Sequence, residues 1–152
     1  MTPPVVIISC GALKLPHPAP AAELYVGQHF RAQLTAARAL TPDARVFILS
    51  ARYGLVRLAD VIAPYDLTIG QPGAICAAHI TEQARHMRLD HERRVIVLAP
   101  ARYAALCRRT WPALETPLAG LGIGYQRAAL ARIRREGLHA PAAALQTVTP
   151  ER

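Results

Sequence analysis

At 152 residues, 52% of them hydrophobic, the chain has the size and composition of one globular domain with a single buried core, which excludes a disordered protein. No apolar run approaches the ~20 residues that span a bilayer, and Val5–Ile8 is too short and lacks the basic flank of a signal peptide, so a cytoplasmic protein without a membrane partner is expected. The net charge of +8 favours an anionic partner, nucleic acid first, although a GC-rich genome would produce the same excess of arginine.

Val5–Ser9 (VVIIS) is apolar and β-branched and ends in Ser-Cys-Gly, as a buried parallel strand does. Three prolines in Gly11–Pro20 predict irregular structure there. Leu24, Phe30, Leu34, Ala37 and Leu40 form one helical stripe, predicting a helix over 21–40 that Thr41-Pro42-Asp43 ends. Arg45–Ser50 reads as a second strand. The following stretch to Gly70 shows no helical period and is expected to be a long irregular loop, a feature that compact domains keep mainly for binding or for covering a site. A helix is predicted over 73–89, with Ile75, Ile80, Ala84 and Met87 inward. A strand follows over 94–99, then a helix from Pro100 to about Thr110, and Thr116–Gly120 is a candidate fourth strand. The last helix is predicted over 122–136, stopped by Gly137.

Strands alternating with helices predict an α/β fold, a three-layer α/β/α sandwich with a short, mainly parallel sheet of about four strands. Residues 1–137 are expected to form one domain, and 138–152, rich in Ala, Pro and Thr, a flexible tail. Ligands of such sheets bind beyond the carboxyl ends of the strands. The segments leaving the strands are Ser9–Lys14, Ser50–Asp66, Pro100–Tyr103 and Gly120–Arg127, and one pocket can be built from all four.

Within those segments, Lys14 is the single lysine among 18 Lys and Arg, which suggests a task for a compact ammonium. Ser9, Cys10, Gly11 and Lys14 have the parts of an anion-binding or nucleophilic turn, without the spacing of a P-loop. Cys10 is a candidate nucleophile or simply a small residue at a strand end. Ser50, Tyr53, Gly54 and Tyr65 offer rings for stacking and hydroxyls for orientation. Asp66 is a candidate general base or ribose ligand, or a turn cap. Gly122 and Gly124 precede or open the last helix, whose N-terminus attracts anions, and Gln126 and Arg127 complete the ligand-binding set. Arg134 and Arg135 form a basic face fit for a phosphate backbone, although arginine in a last turn also complements the helix dipole. Three cysteines without a CxxC pair, and histidines with no ligand spacing, predict neither a disulfide framework nor a metal; no cofactor is expected.

The run ILSARYGLVRLADVIAPYDLTIG resembles the signature segment of the YaaA peroxide-stress proteins. The opening IISCGALK, then AAELYVGQHFRAQLTAAR and PLAGLGIGYQRAAL, look like a shorter, largely uncharacterised bacterial and phage family related to YaaA. The resemblance spans about Val5 to Leu130 and rests on Ser50, Tyr53, Gly54, Asp60, Pro64 and Tyr65, with Asp66 as a departure from the YaaA pattern. It implies DNA binding and protection under oxidative stress.

Together these features lead to the expectation of a nucleotide- or nucleic-acid-directed protein, an enzyme acting on a nucleobase or N-glycosidic bond with Asp66, Tyr53 and Cys10 as its catalytic candidates. The alternative is a non-catalytic DNA-binding protein of the oxidative-stress response, using Arg134 and Arg135. A third reading is a thiol redox protein centred on Cys10. Oligomeric state is left open.

Overall fold

The computed structural model describes residues 2–138. Its centre is a four-stranded sheet of β1 (Val5–Ser9), β3 (Val46–Ser50), β4 (Gly54–Arg57) and β6 (Val95–Leu98), in the order β4-β3-β1-β6. β1 pairs in parallel with β3 and β6, and β4 closes the edge antiparallel to β3. A two-stranded ribbon, β2 (Ala19–Pro20) with β5 (Val61–Ile62), ties the two loops beyond the sheet together.

The side-chain alternation of a strand explains the layering. Val6, Ile8, Val46, Ile48, Ile96 and Leu98 face one core, completed by α1 (Ala21–Leu24), α2 (Gln28–Leu40) and α5 (Ile123–Glu136). Val5, Ile7, Phe47, Leu49, Val95 and Val97 face the other, completed by α3 (Ala77–His86), α4 (Ala101–Cys107) and Trp111. The result is a three-layer α/β/α sandwich. β1 lies centrally, and its four apolar residues have no exposed surface. Leu138 packs against the first core, one residue past the expected domain end; the rest of the expected tail lies outside the described residues. No helix among the described residues is long and apolar enough to cross a membrane.

Five sequence expectations need correction. The helix over 21–40 is two helices, because Leu13–Leu15 pairs with Leu24–Val26 through Leu15 N–H to Leu24 O (2.9 Å) and Val26 N–H to Leu13 O (3.0 Å), pulling Tyr25 into extended backbone. The same pairing means that the proline-rich segment is partly ordered. The supposed irregular loop after Ser50 contains β4 and β5. Its Leu55 and Val56 alternate between the two cores, a two-residue signal too short to stand out in sequence. Thr116–Gly120 is not a strand; Glu115 alone bridges to the β6 edge, through Glu115 N–H to Val95 O (2.9 Å) and Val97 N–H to Glu115 O (2.8 Å). The helix expected over 73–89 is shorter and ends at His86, beyond which Arg88 adopts a left-handed φ of 59°.

Candidate functional site

The chain leaves β1 toward α2 on one face of the sheet and leaves β6 toward α4 on the other. The crevice between β1 and β6 is therefore the switch point of the sheet, where ligands of open α/β folds bind. The first residue past β1 is Cys10, and its Sγ lies 3.5 Å from the Tyr103 hydroxyl in α4. The two segments that diverge at the switch point thus meet through a thiol and a phenol.

Beside them runs a chain of hydroxyls. Ser50, ending β3, donates to the Tyr65 hydroxyl (2.8 Å), which pairs with the Tyr25 hydroxyl at 2.7 Å. The extended backbone at Tyr25, set by its pairing with Lys14, brings that ring to the edge. The Lys14 ammonium stands 4.4 Å from the Tyr65 ring centroid and 5.8 Å from that of Tyr25, a cation–π placement. Tyr53 packs edge-on against Tyr65, with centroids 5.7 Å apart. Four of the five tyrosines, Tyr25, Tyr53, Tyr65 and Tyr103, gather here, and Tyr125 alone is far exposed, at 75%.

Burial sets the protonation of these phenols. It pushes Tyr25 up to about 12, and hydrogen bonds from Tyr65 and Ser50 only partly offset it. Tyr65 and Tyr103 are raised further, first by burial and then by repulsion from negative charge on Cys10. Near neutral pH all three remain hydroxyls that donate and accept, with Lys14 beside Tyr25 and Tyr65 and Arg102 near Tyr103. Such a set recognises phosphate, carbonyl and sugar oxygens. Its tyrosines are too weakly acidic to act as bases at that pH.

The turn that carries Tyr53 is fixed from two sides. Ser50 Oγ accepts from the Arg52 and Tyr53 amides at 3.2 and 3.0 Å. Gln83 on α3 accepts from Leu55 N–H and donates to Tyr53 O, both at 2.8 Å. Gly54 has φ +76°, and a Cβ there would collide with the Gln83 amide. Glycine is needed at this position for both reasons.

The remaining expected site residues divide. Gly11 and Lys14 border the cluster, partly exposed. Ser9 is buried (2% exposed), and its N–H and Oγ both donate to Gln33 Oε1, at 2.7 and 3.1 Å; it braces β1 against α2 and is closed to a ligand. Asp66, though next to Tyr65, is exposed and makes no hydrogen bond or ion pair among the described residues. Gly122 and Gly124 would meet nothing if given a Cβ, so no close approach requires glycine there. Gln126 is buried, donating to Leu121 O at 2.9 Å with Oε1 unpartnered. Arg127 and Arg134 line a groove between α2 and α5 with a volume of about 320 Å3. Arg135 is exposed and is not among the residues lining that groove. A second cleft of about 320 Å3 lies beside Tyr53, lined by Arg52, Gly73, His79, Glu82 and His86. Tyr53 and Arg127 therefore border different depressions. No group of three potential ligands able to hold a metal occurs among the described residues.

Sequence reasoning missed Tyr25, Tyr103, Gln33, Gln83 and His29. Tyr25 was hidden inside an apparent helix, and Tyr103 lay at the end of a strand-leaving segment without a motif to mark it. The signal that could have found them is compositional, since only eight aromatic residues occur and five are tyrosine.

Fold and site together define an α/β domain with a tyrosine-lined polar site at the carboxyl edge of a mainly parallel sheet. The chain belongs to DUF6884, a family of unknown function, whose family model matches residues 5–132. No curated protein matches it.

Proposed function

We propose that the protein binds a nucleotide at the carboxyl edge of its sheet, with Lys14 taking the phosphate and the Tyr53 and Tyr65 region taking the base or sugar. The observation that carries this reading is Lys14 held over the Tyr65 ring, whose hydroxyl continues into Tyr25 and Ser50. A compact cation, aromatic faces and neutral hydroxyls at a switch point suit an anionic, ring-bearing, oxygen-rich ligand. The resemblance of the 48–70 segment to YaaA proteins agrees with a nucleic-acid-related ligand.

Titration with the four 5′-ribonucleotides and their deoxy forms tests the reading. At least one is expected to bind, and Lys14→Ala is expected to weaken it by about tenfold or more, the usual scale for losing a charge-assisted contact. Binding that is absent, or indifferent to Lys14→Ala, overturns the assignment.

The finer reading is hydrolysis of the N-glycosidic bond of the bound nucleotide. Asp66, at the rim of the cluster, is the carboxylate available to activate water. Release of free base, followed by chromatography, should disappear in Asp66→Asn while nucleotide affinity stays. Base release that survives Asp66→Asn removes Asp66 from the reaction.

A further inference from the structure

The groove between α2 and α5 is lined by Arg31 and Thr35 from the first helix and Arg127 and Arg134 from the second, over a floor that includes Ala32 and Leu130. Arg31, Arg127 and Arg134 are all exposed, and none makes a salt bridge with an acidic residue among the described residues. The second arginine of α2 behaves differently. Arg38, also on α2, is bound to Asp43 through two hydrogen bonds at 3.0 and 3.1 Å. Three guanidinium groups are thus left uncompensated around one concave strip.

One of them is oriented by a neutral partner. Arg127 Nε donates to His29 Nδ1 at 3.3 Å, across the two helices. Burial and the adjacent Arg127 charge both lower the pKa of His29, so the imidazole stays uncharged near neutral pH and accepts the bond. Accepting at Nδ1 puts the ring proton on Nε2, which is buried and has no hydrogen-bond partner. A carboxylate in the place of His29 would orient Arg127 equally well but cancel its charge. His29 fixes the guanidinium and leaves its charge and its Nη donors available to a ligand.

We propose that this groove binds the phosphodiester backbone of a single nucleic acid strand. Arg127 and Arg134 are seven residues apart on one helix, or about 10.5 Å along its axis at ~1.5 Å per residue. That separation is about three steps of a stacked strand at ~3.4 Å each. Guanidinium forks match phosphate oxygens and the apolar floor suits sugar surfaces, while the Thr35 hydroxyl is committed to Arg31 O at 2.9 Å. The groove, about 320 Å3 in volume, admits a short stretch of one strand and not a duplex, so one strand is the fitting occupant. The proposal goes beyond the nucleotide site and uses none of its residues.

The test is fluorescence anisotropy of a labelled mixed-sequence 12-mer over a range of salt concentrations. The three groove contacts predict a log–log slope of about −2, at ~0.7 per contact for a single strand, and a strand that also reaches Lys14 adds about −0.7 more. Arg127→Ala and Arg134→Ala should each lower affinity and reduce the slope by about 0.7. Arg109→Ala, which removes an exposed cation outside the groove, should change the slope little. His29→Gln, which retains an acceptor, should bind more tightly than His29→Ala. Mononucleotide affinity should be unchanged in Arg134→Ala, so failure of the groove and failure of the carboxyl-edge site are read separately. DNA and RNA 12-mers of one sequence show which sugar is preferred, and either preference supports the proposal. Four results would overturn it: salt-insensitive binding, equal losses in Arg109→Ala and Arg134→Ala, tighter binding of the duplex, or displacement of the strand by polyglutamate at equal charge concentration.

Discussion

The Tyr65 hydroxyl lies between two others, and the three together decide how the site responds to pH. Tyr25 is 1% exposed and its hydroxyl is held at about 12 by burial, against an ordinary value near 10. Below pH 10 both folded and unfolded chains keep this proton. Between 10 and about 12 the unfolded chain gives it up while the folded one retains it, so the stability it contributes is lost as pH rises through that window. Cys107, in the second core, adds a component of the same sign that begins nearer pH 9, because burial pushes its thiol up to about 12. Melting temperatures measured from pH 8 to 12 should fall progressively, in two components. Tyr25→Phe should reduce the later component, which Tyr65 and Tyr103 share because both are raised further, at a cost of about 1 kcal/mol at neutral pH for the lost hydroxyl partner of Tyr65. An unchanged alkaline slope in that variant would show that Tyr25 is not among the groups concerned. Burial of this kind cannot be read from the residue type. In sequence Tyr25 falls within the expected helix but off its apolar stripe, and only the pairing of Lys14 with Tyr25 turns it toward the sheet edge.

At the scale of elements, the sequence showed what repeats and hid what is made by contact. β1, β3 and β6 are continuous apolar runs and were legible, as were α5 and its glycine stop, because periodicity and capping are local properties. β4 was not, since a four-residue strand bound to one neighbour owes its form to the turn before it. That turn depends on Gly54 and Gln83, which are 29 residues apart in sequence and joined only by the fold. Gln83→Ala removes two partly buried bonds to the turn backbone and should cost about 1–3 kcal/mol. Gly54→Ala strains a left-handed position and displaces the same amide, for about 2–4 kcal/mol. Both act through one contact, so the double variant should lose clearly less than the sum of the two single losses. Denaturant melts of the four proteins measure this coupling, and simple additivity would mean that Gln83 does not hold the turn.

For the whole molecule, the arrangement of the two candidate sites matters more than either alone. α2 carries the chain back from the carboxyl end of β1 to the start of β3, so it begins at the carboxyl edge, and Phe30 in its first turn packs beside Gly11. Arg127, near the start of α5, meets His29, near the start of α2, so both helices begin at that same end. The groove therefore opens toward the edge where Lys14 and the tyrosines lie. The sequence indicated both regions through its strand-leaving segments and its arginine-rich last helix, but it could not show that they lie in one direction, because that depends on how α2 and α5 pack. A strand seated in the groove would direct one of its ends to the tyrosine cluster, making the second contact intramolecular and raising its effective concentration to the millimolar range. A short oligonucleotide should then bind tighter than a mononucleotide by about a hundredfold or more. Lys14→Ala should reduce oligonucleotide affinity as well as mononucleotide affinity, whereas Arg134→Ala should reduce only the former. If Lys14→Ala leaves oligonucleotide binding untouched while abolishing that of the mononucleotide, the two sites hold separate ligands and the strand does not reach the tyrosines.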